Sequence, residues 1–301
     1  MATWIVLAMV LWGIGWPALK VLTEGVPAEV VTFWRFAIMA AAFVPVLYWR
    51  GKPLSLSRKT LGYTLAAAAL NAAFMYFAFW GVQAGTAGAG GVIMTTASPV
   101  LTALLVLMIF RVNVEKRQLF GLGLGLVGGA LMLEVWHAHL LHSGNLYFLA
   151  GALTWAVLTL IGQRMHSHMA PLHFNFWLAV FAAAMTAVPA LPHGIGSVFG
   201  QGPRFWAALL FLAVMGQTVA STIYFVAAGR IGSARAGSYM FLVPLTALAA
   251  SYVLLGEVPS FWLVTGGERR QHGRRQLRQR AAEKRSVTGA FTRPAVAIFR
   301  F

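Results

Sequence analysis

Residues 98–104 read SPVLTAL, and residues 243–248 read VPLTAL. A proline leading into the same Leu-Thr-Ala-Leu run, with Pro99 and Pro244 offset by 145, indicates that the chain is written twice. Outward from this pair the same order of landmarks recurs. Trp12 in LWG and Trp155 in TWA are 143 apart; Tyr76 in YFAFWG and Tyr224 in YFVAAG are 148 apart. Gly81 and Gly229 share the offset of 148, and Glu115 and Glu257 are 142 apart. Five landmarks in one order, within a six-residue spread of offsets, are hard to obtain by chance.

The solvent of this duplicated chain is lipid. Of 301 residues, 59% are hydrophobic and 10% charged, against about 25% charged in an ordinary soluble domain. The mean hydropathy is +0.74, more apolar surface than one soluble core of this size can hide. There is no cysteine, which excludes disulfides, thiolate metal sites and a Cys nucleophile. Aspartate is also missing, which removes a common residue of phosphoryl-transfer and metal chemistry. The net charge of +16 suggests a nucleic-acid binder until its distribution is considered: ten of the 23 Lys/Arg follow Gly267, and the others lie mostly in short loops between apolar runs. The first apolar run starts at once and lacks a basic leader, so no cleavable signal peptide is expected.

A membrane-crossing helix needs about 20 mainly apolar residues. Such runs cover 3–23, 29–49, 60–80, 85–109, 117–135, 144–163, 172–192, 204–227 and 233–255, and a tenth begins at Pro259 (SFWLVTGG) but stops after Gly267. Basic residues alternate between loops. Arg50, Lys52, Arg58 and Lys59 follow the second run, Arg111, Lys116 and Arg117 the fourth, Arg164 the sixth, and Arg230 and Arg235 the eighth. The intervening loops carry almost none, which places the N-terminus in the cytoplasm. An odd number of spans per repeat inserts the second copy upside down. The expected fold is therefore an all-α membrane protein with five plus five helices in inverted repeat, a design common in transporters, its tenth helix truncated or altered. The units expected are residues 1–136, 144–267 and a basic tail, 268–301.

Residues 11–35 (LWGIGWPALKVLTEGVPAEVVTFWR) resemble the opening of the EamA-type drug/metabolite transporter superfamily, with Trp12 and Gly13, Lys20 at the end of the first helix, Pro27 in the loop and Arg35 in the second helix. The blocks from Pro99 to Gly129 and from Pro244 to Gly267 resemble that family's signature in both halves. The similarity covers roughly residues 3 to 267. It implies a ten-helix carrier of the bacterial inner membrane that exports metabolites, amino acids or drugs, acting on a small-molecule substrate within the lipid bilayer as a monomer or weak homodimer. It implies no cofactor. The aromatic-rich lining points to the amino-acid exporter branch.

A substrate site in such a carrier needs polar or aromatic groups near mid-membrane and irregular backbone that faces a cavity. Pro17, after Gly13 and Gly15, is expected to break or kink the first helix. Pro99 and Pro244 predict matched interruptions in the two halves, flanked by Thr95, Thr96 and Ser98 and by Ser238, Tyr239 and Phe241. These hydroxyls either line a site or re-satisfy backbone freed by the proline. Trp12 and Trp16 share a helix face and, with Trp155, offer flat π-surfaces to an aromatic or cationic solute. The alternative is an interfacial belt, which suits Trp4, Trp34, Trp49 and Trp206 better. Tyr76 and Tyr224, deep and repeat-related, need hydroxyl partners. Asn71 and Gln217 are the most polar deep residues, and either join helices or line water. The candidate substrate residues are thus Trp12, Trp16, Tyr76, Thr95, Ser98, Trp155, Gln217, Tyr224 and Tyr239.

Lys20 and Arg35 are the candidate gating charges, since ionisable groups inside a bilayer are functional by default. Arg35 lies about 9 Å into the second helix from Glu29 at 1.5 Å per residue. Either cation pairs with an outer acid, Glu24, Glu29 or Glu134, to close an external gate, or it is a static interfacial anchor, the favoured reading. No glutamate or histidine sits near mid-membrane, which leaves proton coupling without support. His137, His139 and His142 cluster in a loop, but no carboxylate or helical spacing makes them a metal site. Gly121, Gly125 and Gly129 form a small-residue stripe, expected to pack within the monomer.

After Gly267 the sequence becomes ERRQHGRRQLRQRAAEKR, and its ten bases against Glu268 and Glu283 give the tail a net +8. Arg-rich, patternless sequence is what a shifted frame of GC-rich DNA produces, and that reading is favoured. The others are a polybasic segment held by anionic lipid and, last, a nucleic-acid binder, which no aromatic interleaving supports. A genuine tail predicts an incomplete second half and impaired stability or transport.

Overall fold

The computed structural model describes residues 1–50, 56–84, 87–110, 116–133 and 143–255. Among them nine helical spans follow one another and no strand occurs. They are α1 (Ala2–Leu22), α2 (Ala28–Arg50), α3 (Arg58–Ala84), α4 (Ala87–Leu105, continued by a π-helical turn Val106–Phe110), α5 (Lys116–Leu133), α6 (Ser143–Met165) and α7 (Pro171–Ala190). The eighth, α8, spans Pro203–Ile231. The ninth, α9, joins Ser233–Ser238, a 3-10 turn Tyr239–Leu242 and Val243–Leu255. Eight of the nine are long and apolar enough to cross a membrane; in α5 the apolar stretch shortens to Leu119–Gly128. The chain is an all-α membrane protein. The expected tenth span, the basic tail, the His137–His139–His142 cluster, and Glu115, Glu134 and Glu257 lie outside the described residues.

Local chemistry sets the helix starts. Before α3, the Ser57 hydroxyl accepts from the Thr60 amide at 3.2 Å while the Ser57 amide donates to the Thr60 hydroxyl at 3.1 Å. This reciprocal cap satisfies two otherwise orphaned donors. Pro171 and Pro203 open α7 and α8, where a missing amide hydrogen costs nothing. Gly232 turns the chain from α8 into α9 at φ 87°, a left-handed conformation that favours glycine. The next amide, Ser233, donates to Gln163 Oε1 at 3.1 Å, fastening the turn to α6.

The duplication is visible in the packing. In the second half α6 lies against α4 and α3; in the first, α1 lies against α9 and α8, and α2 packs on α7. Exchanging the halves maps each of these pairings onto another or onto itself. Hydrogen bonds obey the same exchange. The Ser98 hydroxyl on α4 donates to Ala152 O on α6 at 3.3 Å, and the Thr246 hydroxyl on α9 donates to Met9 O on α1 at 3.3 Å. Met9 and Ala152 carry the 143-residue offset of Trp12 and Trp155. The halves interleave, so residues Met1–Val258 form one unit around one core that includes Met9, Phe36, Phe148, Phe174 and Tyr224.

Two of the expected backbone breaks, at Pro17 and Pro99, are absent. α1 runs unbroken through Pro17. α4 likewise continues through Pro99, and hydroxyls bond along the surrounding turns: Thr95 to Gly91 O, Thr96 to Val92 O at 2.7 Å and Ser98 to Met94 O at 2.6 Å. Only the second half is interrupted beside its proline, by the 3-10 turn before Pro244. The longest irregular stretch carries no proline at all: it is the π-helical run Phe211–Ala220 inside α8.

Two surface assignments also shift. Trp4 (61% exposed) and Trp49 (92%) lie on the outside, as a lipid-interface belt requires. Trp34 and Trp206 instead clamp the segment after α7: Trp34 Nε1 donates to Ile195 O at 2.8 Å, and both rings pack on Phe199. Of the glycine stripe on α5, Gly125 faces the Phe241 ring while Gly121 has open space beside it. Gly129 lies outside the residues whose side-chain surroundings are described.

Candidate functional site

Seven helices meet around a half-open cavity. α1, α2, α3 and α4 supply one side, and α6, α8 and α9 the other. The cavity therefore lies at the junction of the two halves.

Its aromatic wall starts from Trp12. The Trp12 and Trp155 rings meet edge to face, 5.1 Å between centroids at 87°, a favoured geometry for two quadrupoles. Phe74 packs on Trp155 at 4.8 Å. Trp16, one turn along α1, lines the same space and leans on Phe148 at 6.3 Å.

The π-helical run of α8 completes the wall. Extending the hydrogen-bond ring by one residue leaves carbonyls free for other donors. Gly216 O accepts from Trp12 Nε1 at 3.0 Å and from the Ser221 hydroxyl at 3.3 Å. This joins the first helix of one half to the irregular helix of the other. Gln217 stands beside it in the wall. Its Nε2 reaches only the weak acceptor Met75 Sδ, at 3.8 Å, and its Oε1 faces the Ser221 hydroxyl at 3.4 Å.

Of the nine sequence-predicted substrate residues, the structure brings six to the cavity: Trp12, Trp16, Thr95, Ser98, Trp155 and Gln217. Thr95 and Ser98 present their side chains while committing their hydroxyl hydrogens to backbone carbonyls, so both readings of these residues describe part of their role. Tyr224 is fully buried one layer behind, its ring 5.1 Å from Trp12 and its hydroxyl 3.5 Å from that of Thr159. Tyr76 turns to the other side of α3 and stacks on Trp80 at 5.4 Å. Tyr239 opens the 3-10 turn of α9 and does not line the cavity, although its neighbour Met240 does.

The two candidate gating charges separate. Lys20 sits in the last turn of α1, away from the cavity. Arg35 is 7% exposed and lines the cavity, and Arg35 Nε is buried with no hydrogen-bond partner among the described residues. The sequence reading favoured an interfacial anchor; the structure places Arg35 inside the bundle, with no carboxylate within ion-pair distance among the described residues. Glu29, two turns earlier, instead faces His193 at 4.0 Å.

Sequence reasoning missed Phe74, Met75, Leu212, Gly216 and Met240 among the lining residues. Gly216 carried a usable signal, a glycine beside the deep amide of Gln217; the apolar ones look like any core residue.

Comparison with known proteins assigns the family. The EamA-like transporter family matches residues 1–134 and again 142–267. The chain belongs to that family. It is accordingly a multi-pass membrane transporter, and the second match ends at residue 267, where the apolar pattern stops. Among its relatives, a probable amino-acid metabolite efflux pump of Salmonella typhimurium strain LT2 is 26% identical over 266 residues, covering 83% of this chain and 85% of the relative. A probable terminal-alkyne amino-acid exporter of Streptantibioticus cattleyicolor is 23% identical over 271 residues, covering 88% and 89%. One solved crystal structure superposes with a TM-score of 0.69 at 19% identity, covering 87% of this chain and 93% of that one, which shows the shared fold.

Proposed function

We propose that this transporter is a secondary exporter of small organic solutes, amino acids foremost, that works by alternating access with the central cavity as its substrate site. The observation that carries the reading is the place of the cavity: it is built from both halves and closed by Trp12 on α1 against Gly216 on α8. Rocking one five-helix unit against the other around a fixed central site exposes it to each side in turn. Trp12, Trp16 and Trp155 supply apolar contact, Thr95, Ser98 and Gln217 supply polar edges, and Tyr224 supports the two tryptophans from behind. The two repeats in this reading are residues 1–136 and 144–267, with the N-terminus cytoplasmic as the basic loops require. The names of the relatives, an amino-acid metabolite efflux pump and an amino-acid exporter, support the solute class and the direction.

The test is counterflow in proteoliposomes holding the purified full chain, loaded with aromatic and aliphatic amino acids. Saturable exchange of radiolabelled solute is expected, with a loss of about tenfold or more in Trp12→Ala, which removes both the ring contacts and the bond to Gly216. Exchange no faster than in protein-free vesicles, across the whole panel, refutes the proposal.

A further inference from the structure

Arg35 gives the cavity a sign. A guanidinium out of water and without a partner is costly, and more so at membrane depth. Proteins retain such a group where something supplies the missing acceptor. Arg35 is nine-tenths buried, faces the cavity, and leaves Nε unpaired among the described residues. Its backbone is fixed by its neighbour: Trp34 Nε1 is bonded to Ile195 O at 2.8 Å, which sets the rotation of α2 and keeps position 35 turned inward.

The rest of the wall agrees. Among the described lining residues Arg35 alone carries charge, and no carboxylate is present. Gln217 Nε2 has only a thioether for a partner, so it too is a donor in search of an oxygen. Two of the acceptors, by contrast, are already engaged: Gly216 O holds Trp12 Nε1, and Gln217 Oε1 faces Ser221. A cavity with spare donors, a fixed cation and no acid is suited to an anion with an apolar body.

We infer that Arg35 is a carboxylate-binding residue and that the substrates are small monocarboxylates whose apolar part lies among Trp12, Trp16, Phe74 and Trp155. This deepens the transport reading and rests on it. It also goes past amino acids as a class: the carboxylate is required, and an α-ammonium is dispensable. A guanidinium grips a carboxylate through two parallel N–H···O bonds, a geometry that neither an amine nor an alcohol can satisfy.

The experiment uses the purified full chain and four probes that share one phenyl body: phenylalanine, 3-phenylpropionate, phenethylamine and phenylalaninol. Binding is read by ligand-induced thermal stabilisation and by calorimetry. Both carboxylates are expected to bind, within about tenfold of each other, and the two probes lacking a carboxylate to bind about 10- to 100-fold more weakly. Arg35→Gln is expected to abolish this preference. Without ligand it should melt no lower than the wild type, since it removes an unpaired buried charge; a structural arginine would show the opposite. Binding of phenethylamine or phenylalaninol as tight as that of the acids overturns the assignment, as does a preference for acids that survives Arg35→Gln. Counterflow of the same probes separates the two levels. Exchange of the amine or the alcohol, lost in Trp12→Ala, keeps the transporter and removes the carboxylate site; no exchange of any probe removes both.

Discussion

Replacing Gly90 by alanine tests whether Trp16 is held in the cavity wall by contact from behind. A Cβ at position 90 would lie 2.6 Å from Trp16 Cζ3, 2.6 Å from Phe148 Cε1 and 2.8 Å from Phe148 Cζ. Carbon atoms pack at about 3.5–4.0 Å, so one or both rings must retreat by roughly 1 Å. Phe148 is fully buried and also lies close against Gly81, where a Cβ would sit 2.9 Å from the same Cζ. Trp16 has the cavity in front of it and yields in that direction. Overpacking costs about 1–3 kcal/mol, against about 0.5–1 kcal/mol regained from removing a helical glycine. The net loss, about 0–2.5 kcal/mol, is expected both as a lower melting temperature and as weaker solute binding, about tenfold for each 1.4 kcal/mol that the intruding ring withholds. Gly91→Ala is the control: its Cβ would meet Trp16 at 3.4 Å and Ala247 at 3.6 Å, close to ordinary contact, so it keeps the helix-propensity gain with little of the cost. Calorimetric affinity and thermal unfolding of the two variants in one detergent provide the comparison. If Gly90→Ala binds within twofold of Gly91→Ala and melts at the same temperature, the packing behind Trp16 does not shape the site.

Two further perturbations follow from the fold. Ser98→Ala and Thr246→Val each delete one of the repeat-related bonds, to Ala152 O and to Met9 O; each should cost about 1 kcal/mol in unfolding measurements, and a large effect in one half with none in the other contradicts their equivalence. Gly121→Leu, on the open face of α5, should leave expression and melting unchanged within about 0.5 kcal/mol, whereas a collapse in either would show that this face packs against a partner.

The bundle was legible because lipid imposes a strong rule on sequence. Every span must be apolar for about 20 residues, so nine runs were countable and their helices appear with ends shifted by a few residues. The repeat was legible for a related reason: Trp12 and Trp155 recur because both halves build the same wall. What the sequence hid was rotation about the helix axis. Tyr76 and Phe74 are two residues apart on α3, roughly opposite in direction, and only Phe74 faces the cavity. An apolar helix surrounded by lipid and by other apolar helices gives no amphipathic pattern to decide between them. The backbone breaks were misjudged through proline. Pro17 and Pro99 sit in unbroken helices, whereas α8 departs from α-geometry at Phe211–Ala220 with no proline present. Proline removes one donor without ending the helix, whereas a π-helical run depends on what its carbonyls find, here Trp12 and Ser221 from a helix and a turn away.

Arg35 shows where the duplication stops and function begins. The repeat offsets place its counterparts at residues 177–183 of α7, a stretch reading WLAVFAA, with Leu178 fully buried. α2 and α7 pack against each other, but only α2 reaches the cavity, through Arg35, while the aromatic lining comes from both halves. A symmetric cavity of tryptophans alone would hold a solute in either of two opposed orientations with similar energy. One guanidinium on one side removes that degeneracy, because a charged bond is worth more than any change in ring contact that reversal could bring. On the proposal above, the solute is held in one orientation while the halves exchange access, its carboxylate toward α2.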